Sequence, residues 1–204
     1  MSTLVQVPPP RTPLKTLPIT QDRGIYAMWC VIATEAMLFA AMFASYYYLG
    51  NNKDRWQIER APELVLPWVM FGIILVSNLV LYWGHRQATA QRYGFARIAL
   101  WIAFILGAGF LAVQSFEISA HWQTLNPDSD AYGSIFYTIE FLYTAHLIMG
   151  MLLLGYVGVL PNYAPSLRTP HKPYQTAAAY WYFMGALWLF IVVFLYSVPN
   201  IQRM

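Results

Sequence analysis

The stretch Met28-Trp29-Cys30-Val31-Ile32-Ala33-Thr34-Glu35-Ala36-Met37-Leu38-Phe39 decides the fold. It lies inside an apolar run over residues 25–49. A helix rises about 1.5 Å per residue, so such a run crosses a hydrocarbon core of about 30 Å. One carboxyl, Glu35, sits near its middle. A charged side chain at that depth costs from about 2.5 kcal/mol to several times as much. Two readings follow. Glu35 is a protonated acid hydrogen-bonded to a neighbouring helix, or it is a functional acid facing a lipid head group, a proton path or a partner subunit.

Four more runs of spanning length follow, over 64–84, 98–119, 131–160 and 176–197. The 204 residues are 58% hydrophobic and 10% charged, where soluble domains carry about 25% charge. The fold class is therefore all-α, a polytopic transmembrane bundle of five helices forming one domain over 25–204. Residues 1–24 read as an extended Pro-rich arm, with prolines at 8, 9, 10, 13 and 18 and no apolar core of a signal peptide. The net charge of +3 does not point to nucleic acid. Its distribution matters more: Lys and Arg at 11, 15, 23, 86, 92, 97, 168 and 172 fall on one side, and 53, 55, 60 and 203 on the other. Cytoplasmic loops collect these residues, which predicts a cytoplasmic N-terminus and an outside C-terminus. A lone cysteine, Cys30, rules out an internal disulfide or a Cys-based metal cluster.

Inside the spans, small and amide residues mark helix–helix contacts: Ser77-Asn78, Gly107, Gly109, Gly150 and Gly155. Pro67 falls in a first turn, where proline is tolerated. Tyr46-Tyr47-Tyr48 and Tyr180-Trp181-Tyr182 read as interfacial aromatic belts. Residues 86–97, with three arginines, read as a connection.

Few polar groups remain. Gln114, Glu117 and His121 share one helix face near an end. Glu35 is ten residues into its span and Glu140 about nine into its own. With both spans taken as running outward, the two acids lie at similar depth, compatible with a relay or with two separately satisfied acids. Tyr143, His146 and Gly150 form a stripe with a hydrogen-bonding patch and a close-contact point. The four histidines, His85, His121, His146 and His171, show no metal-ligand spacing, so no haem or copper site of the chain's own is expected. No nucleophile with its base, phosphate loop, thiol site or internal repeat stands out. These features suit a subunit of a larger assembly or a small channel.

Several motifs, taken in order, resemble one family, subunit III of the haem-copper terminal oxidases. They are Met28-Trp29 with Glu35, Phe39 and Phe43; Trp83-Gly84-His85; Gln114-Ser115-Phe116-Glu117; Ala131-Tyr132-Gly133-Ser134-Ile135-Phe136; His146 with Gly150; and Ala177-Ala178-Ala179-Tyr180-Trp181 with Trp188-Leu189-Phe190. Order and spacing hold across about 25–197, and the chain is similar to the five-helix bacterial form. Four positions depart from the family pattern. Tyr143 stands where a His is usual, Glu140 among neutral residues, Tyr182 for a His and Gly185 for an Asp.

The resemblance implies a non-catalytic subunit in the multi-pass inner (cytoplasmic) membrane of a bacterium. It implies no cofactor in this chain, with haem and copper in partner subunits and a bound phospholipid. Direct contact with subunit I is implied, with subunits II and IV as further partners. Its function would be to stabilise the catalytic subunit and to support proton uptake in aerobic respiration. The polar positions that would serve lipid or protons are Glu35, His85, Gln114, Glu117, Glu140, Tyr143 and His146. An accessory subunit of a nitric oxide reductase and a stand-alone proton or small-solute channel are the alternative readings.

Overall fold

A computed structural model describes residues 23–52, 63–122, 131–159 and 171–197. Five helices follow in order: α1 (Arg23–Asn52), α2 (Val65–Thr89), α3 (Tyr93–His121), α4 (Ala131–Val159) and α5 (His171–Ile191), which runs on into a π-helical segment, Val192–Ser197. All five are long and apolar enough to cross a membrane, and no strand occurs among the described residues. The Pro-rich arm over 1–22 and the segments 53–62, 123–130, 160–170 and 198–204 lie outside the described residues.

The predicted connection over 86–97 is mostly helix. Only Ala90, Gln91 and Arg92 separate α2 from α3. Gln91 takes a left-handed φ of 60°, and the Ala90, Gln91 and Arg92 amides bond back to carbonyls of α2, which satisfies the orphan acceptors of a helix end. The turn is too short to let α2 and α3 part, and they pack as a hairpin. At the start of α5, Pro173 falls in the first turn, where its missing N–H costs nothing.

α5 is the packing centre. Of its most apolar window 56% is buried, against 17% for α1. Three α5 side chains seven residues apart reach α2: Tyr174 Oη donates to the Leu81 carbonyl at 2.9 Å, Trp181 Nε1 to Ser77 Oγ at 2.8 Å, and Trp188 Nε1 to the Pro67 carbonyl at 3.1 Å. A seven-residue step returns to the same helix face, so one seam carries all three. The acceptors run backwards along α2, as antiparallel helices require.

This seam corrects the reading of Tyr180-Trp181-Tyr182 as an interfacial belt. Trp181 is fully buried, and a Cβ at Gly107 of α3 or Gly150 of α4 would press on its ring at 2.8 and 3.1 Å. Those two glycines are therefore the close-approach points that α5 needs. Gly109 is not one of them, since nothing lies within 4 Å of a Cβ built there. Tyr46 is likewise buried, while Tyr47 and Tyr48 are exposed.

Candidate functional site

The polar positions singled out in the sequence gather at three places. The first lies midway along the bundle between α1 and α4. Glu35 Oε2 stands 2.6 Å from His146 Nε2, with both side chains only partly covered. His146 Nδ1 lies 2.6 Å from the Leu142 carbonyl, one turn back on α4. A carbonyl only accepts, so Nδ1 carries a hydrogen. Nε2 and the carboxyl oxygen then share one more proton, held by the acid or by the imidazole. Either way the pair is neutral as a whole, which is how a carboxyl is accommodated at this depth. Phe39 packs edge-on against the imidazole with centroids 5.4 Å apart, and Tyr180 Oη donates to the His146 carbonyl at 3.4 Å.

The second lies at the end of the bundle where α3 finishes and α4 begins. Gln114 Nε2 donates to Glu140 Oε2 at 2.9 Å, and Tyr196 Oη donates to Glu140 Oε1 at 3.0 Å. Glu117, one turn on from Gln114 along α3, is buried as well, and neither of its carboxyl oxygens has a hydrogen-bond partner among the described residues. Gln114, Glu117, Glu140 and Tyr196 are each at most 3% exposed. The π-helical segment carries Tyr196 here: its wider turn, with Ser197 Oγ bonded five residues back to the Val192 carbonyl, shifts the helix face and aims the phenol at α4.

The structure therefore corrects the placing of Glu35 and Glu140 at one depth. α1 and α4 are antiparallel: Glu35 meets His146, whereas Tyr46, later in α1, meets Tyr132, earlier in α4. Counting residues from the start of each span puts the two acids in opposite halves of the bundle. They belong to separate sites, and among the described residues no hydrogen bond or ion pair joins them.

The third is a cleft of about 430 Å³ at the other end, between α1, α2 and α5. Its walls include Trp29, His85, Ala178, Ala179, Tyr182 and Phe183. His85 stacks on Tyr174 with centroids 6.1 Å apart.

Tyr143 belongs to none of the three. It is fully buried and donates to the Met184 carbonyl of α5 at 3.2 Å, a helix-joining role. The departure at Gly185 also has a packing counterpart: the Asn78 amide of α2 fills the space a Cβ there would take. Sequence reasoning missed Tyr196 and Trp188 as partners, while Asn78, marked as a helix–helix contact, does pack against α5. The seven-residue spacing of Tyr174, Trp181 and Trp188 was the one signal that could have found part of this set.

The fold and sites define a multi-pass helical membrane protein in which, among the described residues, no group of three or more His, Cys, Asp or Glu side chains could hold a metal. The chain belongs to the cytochrome c oxidase subunit III family, whose family model matches residues 16–199. It is similar to the cytochrome c oxidase subunit 3 of Bacillus subtilis (strain 168), 27% identical over 174 residues, covering 82% of this chain and 83% of that one. It is also similar to that of Bacillus sp. (strain PS3), 25% identical over 192 residues with 92% and 91% covered. The subunit of Struthio camelus is 28% identical over 187 residues, with 87% and 70% covered. The function that follows is that of a subunit III of a haem-copper oxidase, and neither alternative reading is favoured.

Proposed function

We propose that this chain packs directly beside the catalytic subunit I, with subunit II in the same complex, and acts there without a redox centre of its own. Haem and copper are held by those partners. The observation that carries the reading is the contact of Glu35 with His146 at 2.6 Å, partly open on the side of the least buried helix. A neutral pair with one movable proton can exchange it with groups on an adjoining subunit, which a lone buried carboxylate cannot do at comparable cost. The apolar cleft walled by Trp29, Ala178 and Phe183 suits a phospholipid acyl chain, with His85 and Gln175 at its polar margin. All the described Lys and Arg residues, Arg23, Arg86, Arg92, Arg97 and Lys172, gather at the end where α1 and α5 begin, which supports a cytoplasmic N-terminus. In a bacterium that membrane is the inner one.

Affinity purification of the tagged chain in mild detergent tests the reading. The expected result is co-purification with haem-bearing subunits, a reduced-minus-oxidised haem spectrum and oxygen consumption. Consumption of nitric oxide in place of oxygen would move the chain to a reductase. A haem-free oligomer that conducts protons would overturn the proposal.

A further inference from the structure

Within the five described helices, the end of α5 is the one stretch whose backbone departs from the α-helix its sequence favours. Val192-Val193-Phe194-Leu195-Tyr196-Ser197 holds no proline or glycine, yet it forms a π turn, a state taken by under about 1% of residues in folded proteins. A π turn takes in one extra residue, so what lies beyond it lags the α-helical course by about 100°. The rings report that lag. Tyr196 follows Trp188 by eight residues, which in an unbroken α-helix sets the two about 80° apart around the axis. With one residue taken in they fall within about 20° of each other, and their ring centroids are 6.5 Å apart. The turn also brings Tyr196 edge-on to Phe136 of α4 at 5.5 Å, and its hydroxyl donates to Glu140 Oε1 at 3.0 Å. Tyr196 and Glu140 are each 1% exposed, so the donor has no water to fall back on. Gln114 Nε2 holds the other Glu140 oxygen at 2.9 Å, which fixes the acceptor in place while the helix end could turn.

We propose that the end of α5 is a two-register element with Glu140 as its latch. The Tyr196 bond to Glu140 holds the π register, and release of that bond lets the segment relax into the α register. The step turns the last residues of α5 by about 100° and advances them about 1.5 Å along the axis, the increments of one α-helical residue. Tyr196 then leaves Phe136 and Glu140, and Leu195, one position earlier, takes its place against α4. An apolar side chain makes no demand on the acceptor, so the α register is the packed alternative whenever the bond is absent. Glu140 is thus a positioning residue: it selects which side of the α5 end meets α4 and which side an adjoining subunit or lipid meets. The Trp188 bond to the Pro67 carbonyl lies before the turn and is made in both registers.

Electron cryomicroscopy of the intact oxidase complex tests this, comparing wild type with single variants of this chain. Wild type is expected in the π register, with Tyr196 against Glu140. Glu140→Leu is expected to run as α-helix through Ser197, turned by about 100°, with Leu195 against α4. Tyr196→Phe keeps the ring and deletes the bond, and the same turn is expected. Glu140→Gln keeps an oxygen that accepts from Tyr196 and is expected to hold the π register. A purely structural role for Glu140 would lower stability in Glu140→Leu and leave the register as it is. A π turn that persists in Glu140→Leu or in Tyr196→Phe would therefore overturn the proposal, because packing of the ring would then hold the turn. Loss of the π turn in Glu140→Gln, or an α-helical end in wild type, would overturn it as well. Should Glu140→Leu fail to assemble, Tyr196→Phe and Glu140→Gln decide between them.

Discussion

Two acids placed within the membrane-spanning helices have been accommodated in opposite ways. Glu35, on the thinly packed α1, meets an imidazole and stays partly open. Glu140, between α3, α4 and the end of α5, is 1% exposed and bonded by an amide and a phenol. The first arrangement cancels charge with a base, so the pair tolerates an edge that faces lipid or a partner. The second has, among the described residues, no base bonded to it and solvates the carboxyl with neutral donors, which in a site closed to water works only when every donor is in place. The difference separates a group that can serve a neighbour from one that holds this chain together.

The sealed site should be the costlier to break. Glu140→Leu removes the acceptor of two buried donors, the Gln114 amide and the Tyr196 hydroxyl. Each orphaned buried donor costs about 1–3 kcal/mol, so a loss on the order of 3 kcal/mol is expected. Thermal unfolding of the detergent-solubilised complex, and the amount of this chain retained in it, measure the effect. Retention at the wild-type level, with an unshifted transition, would show that the cluster is not structural. Tyr196→Phe removes one donor from the carboxylate and should cost about 2 kcal/mol in the same measurement.

The seam through α5 gives an uncharged control. Gly185→Ala would drive a methyl into the Asn78 amide. Overpacking of this kind costs about 1–3 kcal/mol, so the variant should fall near or below Tyr196→Phe. Asn78→Ala in the same chain should recover most of the loss, since it vacates the contested space. If the double variant is no better than the single, the clash lies elsewhere in the α2–α5 contact.

How much of this the sequence disclosed follows from what hydropathy measures. The five spans were legible because length and apolarity alone make a membrane helix, and Glu35, His146, Gln114, Glu117 and Glu140 stood out because each is expensive in that setting. Their pairing was not legible. Residue count along a span gives depth only when the direction of travel is right: alternation from a cytoplasmic N-terminus already sends α4 inward, and taking it as outward put Glu140 beside Glu35. Trp181 was misplaced for a different reason. A tryptophan near a helix end suits the interface and the protein interior alike, because its ring is apolar and its N–H needs one acceptor. Ser77 supplies that acceptor from 104 residues away, beyond anything local sequence reports. The π-helical segment was invisible as well. Val192-Val193-Phe194-Leu195-Tyr196-Ser197 reads as ordinary apolar helix, and nothing local marks the wider turn that accompanies the Tyr196 bond to Glu140 of α4.

The smallest effect on stability is expected at Glu35, and there the comparison sharpens most. Glu35→Gln keeps the shape, and the amide can donate to His146 Nε2 as the carboxylic acid would. The Nδ1 contact with Leu142 is untouched, so assembly and unfolding should change by less than about 1 kcal/mol. What the amide cannot do is release its hydrogen as a proton. If the pair passes protons to an adjoining subunit, the variant complex should start at the wild-type rate of oxygen consumption and lose activity faster during sustained turnover. Glu140→Gln, in a site closed to any neighbour, should decay at the wild-type rate whatever it costs in stability. The two time courses recorded side by side separate a proton role from a packing role. Equal decay in wild type and Glu35→Gln would leave Glu35 with packing alone, and faster decay in Glu140→Gln would erase the distinction between the open site and the sealed one.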